Sequence, residues 1–505
     1  MRRGGRLRPP TFPAASCDGT PLCTSVPSVV VPVTTADTED HRGHVRAFAK
    51  FLPRVQIYLP SIQPWSFRMV AGPATRSPAA REAALAAHTR RKIAFRLLPF
   101  LFVLYITNYL DRTSVAYAGL HMSRDLGFSD TVFGIGAGIF FLGYMALQIP
   151  GALLVELWSA RRTITLVMLV WGSLTVLTAV VHTAGQLYMA RLVLGAAEAG
   201  FFPGVVVYLS HWFIREDRAK ATGNFMAAIP LSFVIGSPLA GWILGYHWLG
   251  LEGWRWLFVL EGMPAVLLAA VAFFYLTDWP DEATWLNPPQ REWITRSLEA
   301  EKAPNVGRIT IWQAMRSRAV LLLATAAFLE YFVFYTVAFW FPTILKRVSS
   351  LPDARLGMLG VLPYIACLLA MQVNGWHSDK HCERRVHAAI PCFVGAAALL
   401  GLVALPQSLS MTLALFTVLC TIHAFLPPLW ALPTEILGES AAAAAVGFIN
   451  SVGNVAGFAG PYAFGYLATR TGGFSAGLAL MMACALASGL VLVCTPPAPP
   501  RHAVE

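Results

Sequence analysis

The chain has 505 residues, 56% of them hydrophobic and only 13% charged, with a net charge of +11. Soluble chains carry about 25% charged residues, so the composition excludes an ordinary water-soluble globule and points to lipid as the solvent. The basic excess does not mark a nucleic-acid surface either, because the charges fall in alternate loops rather than in one patch.

Residues 1–92 come first and differ in character from the remainder of the chain. Pro9, Pro10, Pro13, Pro21, Pro27 and Pro32 punctuate them without helical periodicity, so disorder is expected. Alternatively, the native start is Met69 and only a short tail precedes the first apolar run, or the extension is a regulatory tail. Twelve apolar runs come next, at 93–113, 132–155, 163–182, 187–212, 222–245, 255–277, 319–345, 356–376, 388–405, 411–434, 441–468 and 475–495. Each is near the ~20 residues that ~30 Å of hydrocarbon demands. Such runs must be helical, because in lipid every backbone amide needs a partner within its own segment. The one long polar segment, 278–318, contains DEATWLNPPQREWITRSLEAEK, which predicts a short amphipathic helix lying on the membrane surface. The expected fold is therefore an all-α membrane protein with twelve transmembrane helices. Two six-helix halves, 93–277 and 319–495, flank the linker, and 496–505 form a tail.

The loops set the orientation. Arg90, Arg91 and Lys92 precede the first run, Arg161 and Arg162 follow the second, and Arg215, Arg218 and Lys220 follow the fourth. The linker carries Arg291, Arg296, Lys302, Arg308, Arg316 and Arg318, and Lys380, Arg384 and Arg385 follow the eighth run. The positive-inside rule then places both termini in the cytoplasm. The eight cysteines have neither metal-type spacing nor the pattern of a disulfide framework, so no metal site is expected.

A repeat relates the halves. VELWSARR at 155–162 and GWHSDKHCERR at 375–385 occupy matching loops six helices apart. In each, an acid is followed five and six residues later by arginines: Glu156 with Arg161 and Arg162, Asp379 with Arg384 and Arg385. One such loop could be an ordinary turn with arginines at lipid headgroups; two in register indicate duplicated halves. The spacing resembles the G-x-x-x-[DE]-[RK]-x-G-x-[RK]-[RK] loop of the major facilitator superfamily. Cys382 replaces a glycine in the second copy, while Ala152, Leu157 and Ser159 depart from the pattern in the first. The resemblance implies that these six acids and arginines act as conformational latches between the halves.

Charges inside the apolar runs carry the chemistry. Asp111 and Arg112, in NYLDRTSVAY at 108–117, stand at the expected end of the first run. Charge in oil costs several kcal/mol unless paired or hydrated, so each is expected to be the other's partial counter-ion at the mouth of a central hydrated cavity. The alternative is that they simply end the helix. In the fourth run, Arg191 and Glu198 are two helical turns apart and share a face, with small residues between them that permit close helix approach. A structural ion pair is the bland reading; intramembrane ionisable groups are functional by default.

YLDR, RLVLGAAEAGFFPG, GWRWLFVLEGMPA at 253–265 and INSVGNVAGFAGPYAFGYL at 449–467 together resemble the anion:cation symporter family, the branch holding bacterial tartrate, sugar-acid and aromatic-acid permeases. The resemblance spans about residues 90–495. It implies proton coupling through Asp111 and Glu198 with Arg191 as their modulator, and Arg112 as the ligand of a substrate carboxylate, which a guanidinium holds bidentately. It further implies a proton-coupled symporter for a small organic anion. Tyr144, Tyr331, Tyr335, Trp430, Asn450 and Asn454 are weaker candidates for the same cavity wall, with packing or interhelical hydrogen bonding as their plainer roles. Glu261 is expected to pair with Arg255. No cofactor is expected, the proton gradient being the energy source. The expected partners are the organic anion, protons and membrane lipid, not nucleic acid, with the chain a monomer in the inner membrane. A drug-type antiporter or facilitator on the same fold is the alternative, to which IGSPLAG at 235–241 lends some support. Neither G-x-x-x-x-G-K-[ST] nor H-E-x-x-H occurs, so neither a nucleotide-driven pump nor a zinc peptidase is indicated.

Overall fold

A computed structural model describes residues 77–301, 315–406, 408–437 and 439–496; within these, the side chains of Ile149, Ala152, Glu156, Ala219, Asn224 and residues 439–444 lie outside the description. The expectations for residues 1–76 and for Lys302 and Arg308 of the linker likewise fall outside it. Among the described residues the long helices run in the expected order. The first half contains α1 Pro78–Asp125, α2 Asp130–Leu157, α3 Ala160–Thr178, α4 Ala184–Trp212, α5 Arg215–Ile243 and α6 Gly253–Tyr275. The second contains α7 Arg318–Arg347, α8 Asp353–His381, α9 Arg385–Ala404, α10 Leu409–Ile436, α11 Glu439–Thr471 and α12 Ser475–Val493. Among the described residues, eleven are long and apolar enough to cross a membrane; α11, interrupted by glycine, alanine and asparagine, occupies the eleventh expected run. The linker forms the expected helix at Pro288–Ala300, its start fixed by the Asn287 amide donating to Gln290 Oε1 at 3.1 Å.

Starts and breaks have local causes. Ser77, Ser159, Ser317 and Ser408 each accept from the amide three residues on, and such a cap stabilises a helix by ~1 kcal/mol. Four helices break internally where a proline three or four residues later removes the amide that would bond back. In α4 the break at Ala199–Gly200 precedes Pro203; in α5 that at Ala227 precedes Pro230; in α8 that at Gly360 precedes Pro363. In α10, Pro427 and Pro428 come after the 3-10 segment Thr421–Phe425, and the freed Ala424 carbonyl accepts from Asn374 Nδ2 of α8 at 2.7 Å.

The first helix differs from its expected span, 93–113. It begins at Pro78 and continues to Asp125, so Asp111 and Arg112 lie well inside it rather than at its end. Residues 113–118 include polar side chains, but they are buried against protein. The fall in apolarity marks a change of neighbour, from lipid to protein, not the end of the helix.

The halves meet through α2 with α11, α5 with α8, and α1 with α7, the first two pairs being exchanged by a two-fold that relates six helices to six. Their contacts lie toward the side of the loops 126–129, 348–352 and 472–474, here termed the distal side. There Arg347 pairs with Asp130 at 2.8 Å, His121 with Asp353 at 2.8 Å, and Thr131 with Thr469 at 2.8 Å. Phe133 meets Trp340 edge-on at 5.1 Å. A Cβ at Gly134 would collide with the Pro461 carbonyl, so glycine is what permits this α2–α11 approach. On the opposite, terminal side Arg90 pairs with Asp217 and Arg384 with Glu435, each inside its own half. The halves are joined at the distal end.

A buried charge cluster at the centre of the bundle

Five ionisable side chains gather between α1, α4 and α6. Asp111, Arg112, Arg191, Glu198 and Glu261 are all buried, and Arg191 and Glu198 retain no exposed surface. The close α2–α4 packing that seals them needs Gly195, where a Cβ would collide with the Phe140 carbonyl. The small residues between Arg191 and Glu198 thus do what their size suggested.

The pairing differs from that expected. Arg112 turns from Asp111 to Glu198: its Nε donates to Glu198 Oε1 at 2.6 Å, and its Nη2 contacts the same oxygen. Asp111 instead accepts from the Thr175 hydroxyl of α3 at 2.9 Å. Adjacent residues on a helix project about 100° apart, so Asp111 faces α3 while Arg112 faces α4. Arg191 therefore loses its expected partner. Among the described residues none of its three nitrogens has a hydrogen-bond acceptor, and its guanidinium lies 4.9 Å from the Phe140 ring. Asp111 Oδ1, Glu198 Oε2 and both polar atoms of the Asn108 side chain are also without partners among the described residues. Buried donors and acceptors left unpaired cost ~1–3 kcal/mol each, so this cluster is an expensive feature of the core.

Glu261 is the second correction. Arg255 donates to the Ala179 and Val181 carbonyls at 2.5 and 3.2 Å, closing the end of α3, while both Glu261 oxygens lack partners among the described residues. Arg255 is drawn off because the last carbonyls of a helix have no partners within it.

Of the weaker candidates, Tyr144 comes directly to the cluster. Its ring lies 4.9 Å from the Arg112 guanidinium, with Tyr109 at 4.8 Å and Phe140 at 5.3 Å, so the arginine sits in an aromatic cage. Tyr335 reaches across from α7, packing 4.4 Å from Phe141 of α2 and donating to Asn454 Oδ1 of α11 at 3.5 Å. Tyr331 stands edge-on to Tyr335 at 5.8 Å. Asn450 is half-buried one turn from Asn454, and Trp430 is half-buried against the core; no described contact joins either to the cluster. The repeat loops behave unequally. Arg384 pairs with Asp379 at 2.5 Å and with Glu435 of α10 at 3.0 Å, and Arg385 donates to the Thr495 carbonyl at 2.8 Å. In the first copy the Arg161 amide donates to Asp278 Oδ1 at 2.8 Å, and Arg162 stands over Trp158 at 5.9 Å. The Glu156 side chain lies outside the described residues. Among the described residues none of these contacts joins a loop to the other half.

Sequence reasoning missed Glu330 and His423 in the second half, where the imidazole Nδ1 lies 3.0 Å from the Glu330 carboxylate. The signal was present: each is the lone Asp, Glu, His, Lys or Arg inside an otherwise apolar run.

The Major Facilitator Superfamily model matches residues 101–461. A protein of Agrobacterium vitis named "Putative tartrate transporter" is 41% identical over 404 residues, covering 79% of this chain and 93% of that one. A "Quinolone resistance transporter" of Acinetobacter baumannii is 35% identical over 405 residues, 80% of this chain and 93% of that one. Among solved structures, a bacterial homologue of the human lysosomal transporter Spinster, in an inward-facing and unoccupied conformation, superposes with a TM-score of 0.63 at 19% identity, covering 81% of this chain and 95% of that one, a likeness of fold alone. Family model, relatives and fold agree: this multi-pass membrane chain is a transporter, not an enzyme, and belongs to the major facilitator superfamily.

Proposed function

We propose that the chain imports a small organic carboxylate together with protons, by rocking of its halves about the central cluster. The observation that carries this is the Arg112–Glu198 pair. One guanidinium fork is held by one internal carboxylate, and a substrate carboxylate has the same shape and charge. Substrate and Glu198 therefore compete for Arg112. Protonation removes the charge from Glu198, weakens its hold by ~1–2 kcal/mol (a charge-assisted bond reduced to a neutral one), and frees the fork. Proton and anion thus favour each other's binding, which is what symport requires. Arg191, unpaired beside Asp111 and Glu198, supports re-ionisation of these acids when the proton leaves.

Basic residues gather on the terminal side, so by the positive-inside rule that side is cytoplasmic, with both termini. The distal closure then makes this the inward-facing state of a protein of the cell membrane. Among the tartrate, sugar-acid and aromatic-acid substrates that the resemblance implies, the relative named for tartrate favours the first. No cofactor enters the cycle, and a single chain contains both halves of the site, so the working unit is a monomer surrounded by lipid. The relative named for quinolone resistance favours a second reading, a drug-type antiporter on the same fold. Uptake of labelled tartrate, gluconate and benzoate into proteoliposomes, with and without an inward proton gradient, separates the two. Accumulation that requires the gradient supports symport; accumulation driven by the opposite gradient supports antiport.

A further inference from the structure

We propose that Glu330 and His423 form a second proton-binding site, in the C-terminal half, that exchanges its proton as the halves rock. The proposal rests on the symport reading above. Glu330 lies about 18 Å along α7 at the usual 1.5 Å rise per residue, near the middle of the helix. His423 belongs to the 3-10 segment that breaks α10 midway, and broken helices at the midplane are where transporters place their sites. The two helices, α7 and α10, are the repeat counterparts of α1 and α4, which carry Asp111, Arg112 and Glu198. The same two positions of the repeat thus hold the ionisable groups in both halves.

The surroundings favour a single proton on the pair while it is sealed. Glu330 is fully buried, and the other titratable groups described facing it are Tyr331 of α7, Cys367 of α8 and Cys392 of α9, with Cys420 of α10 beside Cys367. These phenol and thiol groups carry no positive charge, so His423 is the counter-ion. With one proton shared between carboxylate and imidazole the pair is neutral overall. Losing that proton leaves an anion in a low-dielectric site, and gaining another leaves a cation, each costing several kcal/mol. Exchange therefore needs water at the imidazole. His423 keeps 7% of its surface exposed and Glu330 none, so the imidazole is the port. Phe334 covers it in a parallel stack at 3.8 Å. Phe334 in turn meets Phe233 of α5 at 6.2 Å, and Phe233 stacks on Tyr364 of α8 at 4.3 Å. The cover on the imidazole is thus tied to the α5–α8 contact between the halves, and rocking that separates Phe233 from Phe334 changes the access of His423 to water.

The test is the number of protons moved per anion in proteoliposomes holding the full chain. It uses whichever of tartrate, gluconate or benzoate the wild type accumulates, with proton flux read by an internal pH dye. His423→Gln and Glu330→Gln should each lower the ratio by one proton per anion, with anion exchange between preloaded vesicles retained. An unchanged ratio in both variants, beside a coupled wild type, overturns this proposal alone. A wild type that moves no protons overturns the symport reading and this one with it. Should either variant fail to fold, Phe334→Ala keeps both titratable groups and decides the matter: a severalfold rise in substrate-independent proton leak is expected, and an unchanged leak overturns the proposal.

Discussion

The two halves share a frame and differ in what fills it. Both have a broken fourth helix, a loop with an acid and two arginines after the second, and ionisable groups on the first and fourth. In the first half the central cluster holds two arginines and three carboxylic acids, with several polar atoms unpaired among the described residues. In the second it holds one acid and one imidazole, in contact, beside tyrosines and the Asn454 amide. Duplication supplies the hinge geometry, which both halves need in order to rock. On the proposed symport reading the charges diverge because only one wall of a cavity has to grip an anion, and a second set of arginines would hold it in place rather than release it. On that reading charge recognition belongs to the first half and shape to the second.

Glu198→Gln tests that assignment most severely. Glutamine keeps the size and a hydrogen-bond acceptor but cannot carry the proton. Accumulation driven by a pH gradient should be abolished, while exchange between preloaded vesicles continues, since exchange cycles the loaded carrier without an empty return. A glutamine variant that still concentrates substrate would remove coupling from Glu198 and leave Asp111 or the second half to carry it. Arg112→Lys sharpens the comparison further. Lysine keeps the charge but loses the fork, so substrate affinity should fall about ten- to a hundred-fold, as for the loss of ~1.5–3 kcal/mol of charged hydrogen bonding. Arg112→Ala should be little worse. Near-normal affinity in the lysine variant would mean that Arg112 supplies field rather than geometry.

How far the sequence carried this picture depends on what each feature requires. Helix order, the two-half division and the linker helix were legible, because they follow from apolar length and from local caps such as Asn287. The end of α1 was not, because an apolar scan cannot tell a polar face buried in protein from a segment leaving the membrane; residues 113–118 are the former. That Asp111 with Arg112 and Arg191 with Glu198 stand out was legible from their rarity in oil, and only the family resemblance linked the two pairs. Their pairing was not legible: Arg112 and Glu198 lie 86 residues apart, and which arginine meets which acid is set by how α1 crosses α4. Glu261 was misassigned for a related reason, since Arg255 had a nearer use in capping α3. Glu330 and His423 were legible by the same rarity argument and were passed over for want of a motif around them.

The smallest expected effect is that of Arg347→Ala, among the distal contacts that hold the halves together. Two kinds operate there: backbone-close packing between α2 and α11, and ion pairs at the rim. Gly134→Val places a side chain against the Pro461 carbonyl, where neither helix backbone can yield, so it should wedge the distal side open and strongly depress uptake. Arg347→Ala removes the pair with Asp130, in which the arginine side chain is 46% exposed. Exposed pairs contribute about 0–1 kcal/mol, so the balance between distal-closed and distal-open states should shift by no more than about fivefold. Spin labels at Arg124 and Ser349, in a background without the native cysteines, would read that balance as a distance distribution between the halves. A modest growth of the longer distance in Arg347→Ala is expected, against near-complete conversion in Gly134→Val. The opposite ranking would mean that charge, not packing, closes the distal side, and that the rim is a gate sensitive to salt and pH rather than a mechanical stop.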